Sequence, residues 1–253
     1  CIIEAGMGGR LDATTALDYK ACLITNVGLD HTEYLGDTFE QIAYEKSGVF
    51  KPNVPALTTE DKPECQKVME LVADYMKTPL CFIDCQETDV LRWNGMTFHL
   101  NPPLYQAKNL SLALETLNVL GIWLEENEIQ QVIDHFQWAG RYMVLRKDPL
   151  VLLDGAHNVH GITALIQSLK DFTGKIYFSV LKEKDAPHMI ELLQSISKDI
   201  TLVEISSARL YPLEELGYPI ITVDELISRL LDTKEDSLLC GSLYYAVSYT
   251  HLT

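Results

Sequence analysis

Short apolar runs alternate with amphipathic stretches twice along this chain, and that alternation constrains its fold more than any other feature. In the first half, the runs 1–5, 22–27, 54–58 and 80–84 read as strands, each short and bounded by turn residues. Between them, 37–48 and 62–77 fit helices; Asp37-Thr38 opens the first and Lys51-Pro52 closes it. Strand–helix alternation predicts an α/β fold with a parallel sheet. Residues 88–100 break the rhythm, because Asn94-Gly95 between strand-like flanks signals a hairpin. Two helices are expected next, over 103–120 and 126–136. Strands 142–147 and 150–154, joined at Lys147-Asp148-Pro149, then restart the alternation. It continues through helix 158–171, strand 175–181, helix 185–197, strands 200–205 and 219–223, helix 224–231 and strand 237–241. Gly140-Arg141 stands at the reset, so a domain boundary is expected near residue 140. Neither an internal repeat nor a low-complexity tract interrupts the pattern.

Composition narrows the partners. The chain has 253 residues, 47% of them hydrophobic, enough for one large domain or two ordinary ones. It contains no apolar run of the roughly 18 residues that a membrane span needs. No positively charged, cleavable leader opens it, so a cytoplasmic location is expected. A net charge of −16 argues against nucleic acid and anionic membranes, which require basic patches. Anionic small molecules stay open, since a few local cations or a metal ion dominate a pocket. The six cysteines form no C-x-x-C pair or finger-like spacing, so they read as reduced thiols rather than zinc ligands. The chain starts inside an apolar run without Met, and 247–253 carry neither helix stop nor core pattern. A fragment with a non-native tail is the expectation.

Three residues of the first half carry possible chemistry. Lys46 lies seven positions after Phe39, on the stripe formed by Phe39, Ile42 and Ala43. A buried ammonium has its pKa pushed down, and a neutral lysine can capture carbon dioxide as a carbamate. The alternative is a lysine that snorkels to solvent or pairs with a carboxylate. His31 follows a strand and a glycine turn, where α/β folds place ligands, although a lone histidine is also commonly structural. Glu4 precedes the glycine-rich run 5–10, and a buried strand-end carboxylate there suits a hard metal ion. A Glu4–Arg10 ion pair is the competing reading.

The second constellation is Leu150-Val-Leu-Leu-Asp-Gly-Ala-His-Asn, a buried strand running into a helix. A helix N-terminus attracts phosphate, and Asp154 could accept from a ribose hydroxyl. Asp154 or Asn158 could equally be a helix cap. Asn109 in an apolar helix and Arg141 at the reset are either ordinary surface residues or a nucleotide clamp.

Taken in order, several motifs resemble the folylpolyglutamate synthase/dihydrofolate synthase family of the Mur ligase superfamily. They are Glu4-Ala-Gly-Met-Gly-Gly-Arg-Leu-Asp-Ala-Thr, Ile24-Thr-Asn-Val-Gly-Leu-Asp-His-Thr-Glu, Leu35-Gly-Asp-Thr, Glu45-Lys-Ser-Gly-Val, Gly140-Arg141, Leu153-Asp-Gly-Ala-His-Asn, Leu181-Lys-Glu-Lys-Asp and Gly241-Ser-Leu-Tyr. The resemblance implies the C-terminal part of a P-loop-type Mur ligase central domain over 1–139. A Rossmann-like C-terminal domain would follow over 140–253. It implies an ATP-dependent ligase that phosphorylates the carboxylate of a folate or dihydropteroate and joins it to L-glutamate. By resemblance, Glu4, His31 and Lys46 as its carbamate match Mg2+ ligands and the catalytic set. Asn109, Arg141 and Asp154 match nucleotide contacts, and His157 lies in the same motif. A monomer is the family expectation. The family's Asn and Pro are Thr15 and Val159 here, and its Gly-Lys-Ser/Thr P-loop is not in the sequence. This chain alone is therefore expected not to turn over ATP. Two rival readings are another Mur-type ligase of cell-wall synthesis and a non-catalytic nucleotide-binding protein.

Overall fold

The computed structural model describes residues 1–169 and 171–242. The chain divides into two compact units, 1–134 and 135–253, against the sequence boundary at 139/140.

In the first unit, β1 (Cys22–Ile24), β2 (Ala56–Thr58) and β3 (Leu80–Phe82) form a parallel sheet in that order. A short α1 (Thr32–Leu35) and then α2 (Phe39–Ser47) cross from β1 to β2, and α3 (Pro63–Met76) crosses from β2 to β3. Ile24, Ile42, Ala43, Phe50, Cys65 and Met69 close the core between sheet and helices. The start of α2 is fixed by its own sequence. Thr38 Oγ1 accepts from the Gln41 amide at 3.3 Å and Gln41 Oε1 accepts from the Thr38 amide at 3.2 Å.

One expected strand does not form. Residues 1–5 pair with no other strand among the described residues, and Ile2 is 97% exposed. An apolar run becomes a strand only when a neighbour takes up its backbone groups, and local sequence does not supply that neighbour.

The hairpin forms where Asn94-Gly95 placed it, as β4 (Val90–Trp93) and β5 (Met96–His99), with both turn residues at positive φ. Leu91 and Phe98 pack against Leu114 of α4 (Gln106–Val119) and Ile129 of α5 (Glu126–His135). The outer edge of β5 is taken by side chains of α5. Glu126 Oε1 accepts from the Thr97 amide at 2.9 Å, and Gln130 bonds both the amide and the carbonyl of His99.

In the second unit, six strands lie in the order β10-β9-β8-β11-β7-β6. They are β6 (Met143–Lys147), β7 (Leu150–Leu153), β8 (Lys175–Phe178), β9 (Ile200–Glu204), β10 (Ile220–Thr222) and β11 (Ser237–Cys240). All pairs are parallel except β6 with β7. Along β7, Leu152 faces a core with α6 (Val159–Ser168) and α7 (Ala186–Leu193), whereas Val151 and Leu153 face α8 (Val223–Asp232). Both sheet faces are covered, as a parallel sheet requires. β11 lies between β7 and β8, so the chain reverses its direction of travel there, and ligands of such folds sit at the carboxyl ends of those strands. Of Gly241-Ser-Leu-Tyr, residues 243 and 244 lie outside the described residues, as does the 247–253 tail.

Candidate active site

Lys46 occupies the last turn of α2, beside the buried Ile42, Ala43 and Ser47. It is half-buried, and burial pulls its pKa below the ordinary lysine value. The nearby Asp30 carboxylate opposes that shift. The expected low-pKa lysine is therefore present, with an acidic neighbour that the sequence reading did not name.

A glycine-rich loop lies against the same turn. A Cβ at Gly9 would come within 2.7 Å of the Lys46 carbonyl oxygen, so only glycine permits this approach. The Arg10 amide donates to Glu45 O at 2.8 Å, and its guanidinium donates through Nε and Nη2 to Glu45 Oε1 at 2.9 and 2.8 Å. Arg10 is thus committed to Glu45, and the Glu4–Arg10 pair is not what forms. Asp12 holds the loop from inside: Oδ2 accepts from the amides of Gly6 and Met7, and Oδ1 from the amide and hydroxyl of Thr14. These bonds keep its carboxyl at about 2. Thr15, where the family pattern has Asn, donates its hydroxyl to Gly9 O at 2.5 Å. Glu4 leads into this fixed loop but is itself exposed, on an unpaired stretch. The expectation of a buried carboxylate at a strand end is corrected, because the strand that would bury it is not made.

His31 is also exposed, at the start of α1, with φ 52°. A non-glycine residue in the left-handed region is strained and needs support. Its amide donates to Asp30 Oδ1 at 2.9 Å, and its carbonyl accepts from the amides of Tyr34 and Leu35, both at 2.9 Å. The loop before it is gripped from the end of β2. Glu60, whose side chain is 0% exposed, accepts from the Val27 amide, while Lys62 Nζ donates to Val27 O at 2.9 Å. Thr59 donates its hydroxyl to Thr25 O at 2.7 Å. Sequence reading missed Glu60, Asp30 and Asp12. The polar run Thr58-Thr-Glu-Asp at the end of a buried strand was the available signal.

The glycine loop packs on the Lys46 turn, and Asp30, next to His31, acts on Lys46. Among the described residues, however, no group of three or more His, Cys, Asp or Glu is gathered for a metal ion. Asn109 is exposed on α4, with its side-chain amide donating to Gln106 Oε1 at 3.1 Å.

The second constellation lies at the carboxyl end of β7. Asn158 caps α6, accepting from the Gly161 amide at 2.8 Å. Asp154 is not the cap. It is 3% exposed, with Oδ2 accepting from the Tyr142 amide and Oδ1 from the Ala156 amide, both at 2.7 Å. Burial raises its pKa, while the two amides, Arg141 and His157 act in the opposite direction. Each oxygen thus holds one backbone amide and keeps a second lone pair. His157 Nδ1 lies 2.7 Å from Gly155 O; a carbonyl only accepts, so Nδ1 carries the proton. Arg141 is half-buried, and its charge acts on the Asp154 carboxylate.

No protein-family model matches the chain. Individual relatives do. A dihydrofolate synthase/folylpolyglutamate synthase of Buchnera aphidicola subsp. Schizaphis graminum is 34% identical over 208 residues, covering 76% of this chain and 49% of the relative. The Bacillus subtilis enzyme of the same name is 29% identical over 280 residues, covering 96% of this chain and 65% of its own length. A solved bifunctional folylpolyglutamate synthase/dihydrofolate synthase with Mn, AMPPNP and L-glutamate bound superposes with a TM-score of 0.83 at 26% identity, over 98% of this chain and 65% of that one. The chain belongs to the dihydrofolate synthase/folylpolyglutamate synthase family. It spans between about half and two thirds of the length of these relatives. The expected α/β fold is the one found, and it matches the Mur ligase fold of this family. No described helix is long and apolar enough to cross a membrane.

Proposed function

We propose that this chain serves an ATP-dependent ligase that joins L-glutamate to the carboxylate of a folate or dihydropteroate through an acyl phosphate. The observation that carries this reading is the half-buried Lys46, its pKa lowered, with the glycine loop packed on its turn. Family membership and the Mn, AMPPNP and L-glutamate in the solved relative support the substrate class. On this reading, 1–139 belongs to the central ATPase domain and 140–253 is the Rossmann-like C-terminal domain. The enzyme acts in the cytoplasm as a monomer.

Lys46 as the neutral amine adds to carbon dioxide. One N–C bond forms as one C=O π bond of carbon dioxide breaks, one proton leaves to solvent, and the neutral amine becomes an anionic oxygen donor. With the Glu4 carboxylate and the His31 imidazole, that carbamate forms a donor set suited to Mg2+. Burial of the amine fits this chemistry, because an ammonium cannot ligate a cation. Bound Mg2+ offsets repulsion between phosphate and carboxylate oxygens. Asn109, Arg141, Asp154 and His157 serve the nucleotide. The chain's own contribution is positioning: Asp12 and Glu45 fix the loop after Glu4, and Glu60 and Lys62 fix the loop before His31.

The test is ATP- and folate-dependent incorporation of L-glutamate by the intact gene product. Lys46→Ala is expected to lower the Mg2+-dependent rate by about 10²–10³-fold, the range seen when one stabilising group is removed from an active site. A near-normal rate removes the carbamate role.

A further inference from the structure

Lys108 stands where a lysine is electrostatically out of place. It lies in the first turn of α4, whose N-cap, Tyr105, makes no side-chain capping bond and whose first turn holds no acidic residue. The helix dipole is positive at that end and opposes a cation there. Two carboxylates from outside the helix offset this. Lys108 Nζ donates to Asp61 Oδ2 at 2.7 Å, in the loop after β2, and lies 3.7 Å from Glu87 Oε1, in the loop after β3. Burial acts to lower the pKa of Lys108, but the carboxylates of Asp61, Glu87 and Glu60 outweigh it, so the side chain keeps its charge. Asp61 sits between Glu60 and Lys62, which hold the amide and the carbonyl of Val27 in the loop before His31. Asn109 directly follows Lys108. The tripeptide 60–62 therefore grips both the His31 loop and the turn that carries Asn109.

We infer that Lys108 is a positioning residue for the nucleotide, acting through Asn109 by locking the first turn of α4 to the loops after β2 and β3. This rests on the reading of Asn109 as a nucleotide contact. Asn109 is exposed and its side-chain amide is tied to Gln106 of the same turn, so its place depends on where that turn is held. A second tie survives a change at Lys108: the Ser111 hydroxyl donates to Cys85 Sγ at 3.0 Å, and Ala107 is fully buried. Losing the ion pairs should therefore loosen the turn without releasing the helix.

KM for ATP and kcat of the intact gene product, at saturating folate or dihydropteroate and L-glutamate, test this. The Asp61 side chain is 67% exposed, which limits what the pair is worth. Lys108→Met is accordingly expected to raise KM for ATP about three- to fivefold with kcat kept. Lys108→Arg, which can hold both carboxylates, should restore it. A purely structural role would lower the apparent kcat, by loss of folded protein, and leave KM unmoved; that result, or no change in either, overturns the inference. The double variant Lys108→Met/Asn109→Ala should show a KM no higher than Asn109→Ala alone, and multiplying effects would overturn the inference by showing that Lys108 does not act through Asn109. If Lys108→Met does not fold, Asp61→Asn/Glu87→Gln removes the same two ion pairs from their partly exposed partners and is held to the same outcomes. An unchanged KM in Asn109→Ala, or an intact gene product that turns over no ATP, removes the nucleotide reading and this inference with it, whereas failure at Lys108 alone leaves that reading standing.

Discussion

The surroundings of Lys46 and of Asp154 solve opposite problems. Around Lys46 the backbone is secured, by Asp12, Glu45, Glu60 and Lys62, while the side chains proposed to bind metal, Glu4 and His31, are left exposed. Around Asp154 the carboxylate itself secures backbone, accepting from the Tyr142 and Ala156 amides. What separates the two cases is which side chains hold the backbone: neighbours around Lys46, and the singled-out residue itself around Asp154.

The comparison breaks most severely at Lys46, whose replacement by alanine should cost the rate stated above while sparing the fold. Gly9→Ala comes next. The added methyl would meet the Lys46 carbonyl at 2.7 Å, so the loop must shift, at about 1–3 kcal/mol of stability by analogy with overpacked cores. Thermal unfolding together with the rate checks it; a loss of rate larger than the loss of stability would show that the loop position matters to Lys46. Glu60→Gln should cost about 1–3 kcal/mol, because it leaves a buried donor or acceptor of the His31 loop unpaired, and urea unfolding reads that.

The smallest effects are those of pH, and they have opposite signs in the two regions. Asp12, held at about 2, contributes stability that is complete above its ordinary value and is lost as pH falls through about 2. Asp154 has a raised pKa, so it favours the folded state when protonated, and its contribution declines as pH rises from the ordinary carboxylate range through the raised value. Protection factors of the Met7 and Thr14 amides, measured against intrinsic exchange at each pH, should therefore fall on acidification toward pH 2. Replacing Asp154 by Asn should flatten the stability slope just above the ordinary carboxylate range. If that slope is unchanged in Asp154→Asn, burial is not shifting this carboxyl.

Much of the architecture was legible because it is local. The Thr38–Gln41 capping box lies three residues apart, the hairpin turn is a dipeptide, and the Lys46 stripe follows helical spacing. Residues 1–5 failed as a strand because strand formation depends on a partner, which no run of five residues contains. The securing bonds were illegible for a related reason. Arg10 and Glu45 are 35 residues apart, Val27 and Glu60 are 33 apart, and Asp154 reaches a backbone amide 12 residues back. Backbone amides carry no residue identity, so nothing in the sequence marks which one a buried carboxylate will hold.

The hairpin β4–β5 carries a consequence of a different kind. Two strands with a free edge offer a template on which another extended chain can grow. Here Glu126 and Gln130 of α5 occupy the N–H groups of Thr97 and His99 and the His99 carbonyl, which such a chain would need. Self-association along β5 must therefore wait for α5 to detach. Resistance to aggregation in this part of the protein is set by how often one ten-residue helix lets go, rather than by the hairpin itself.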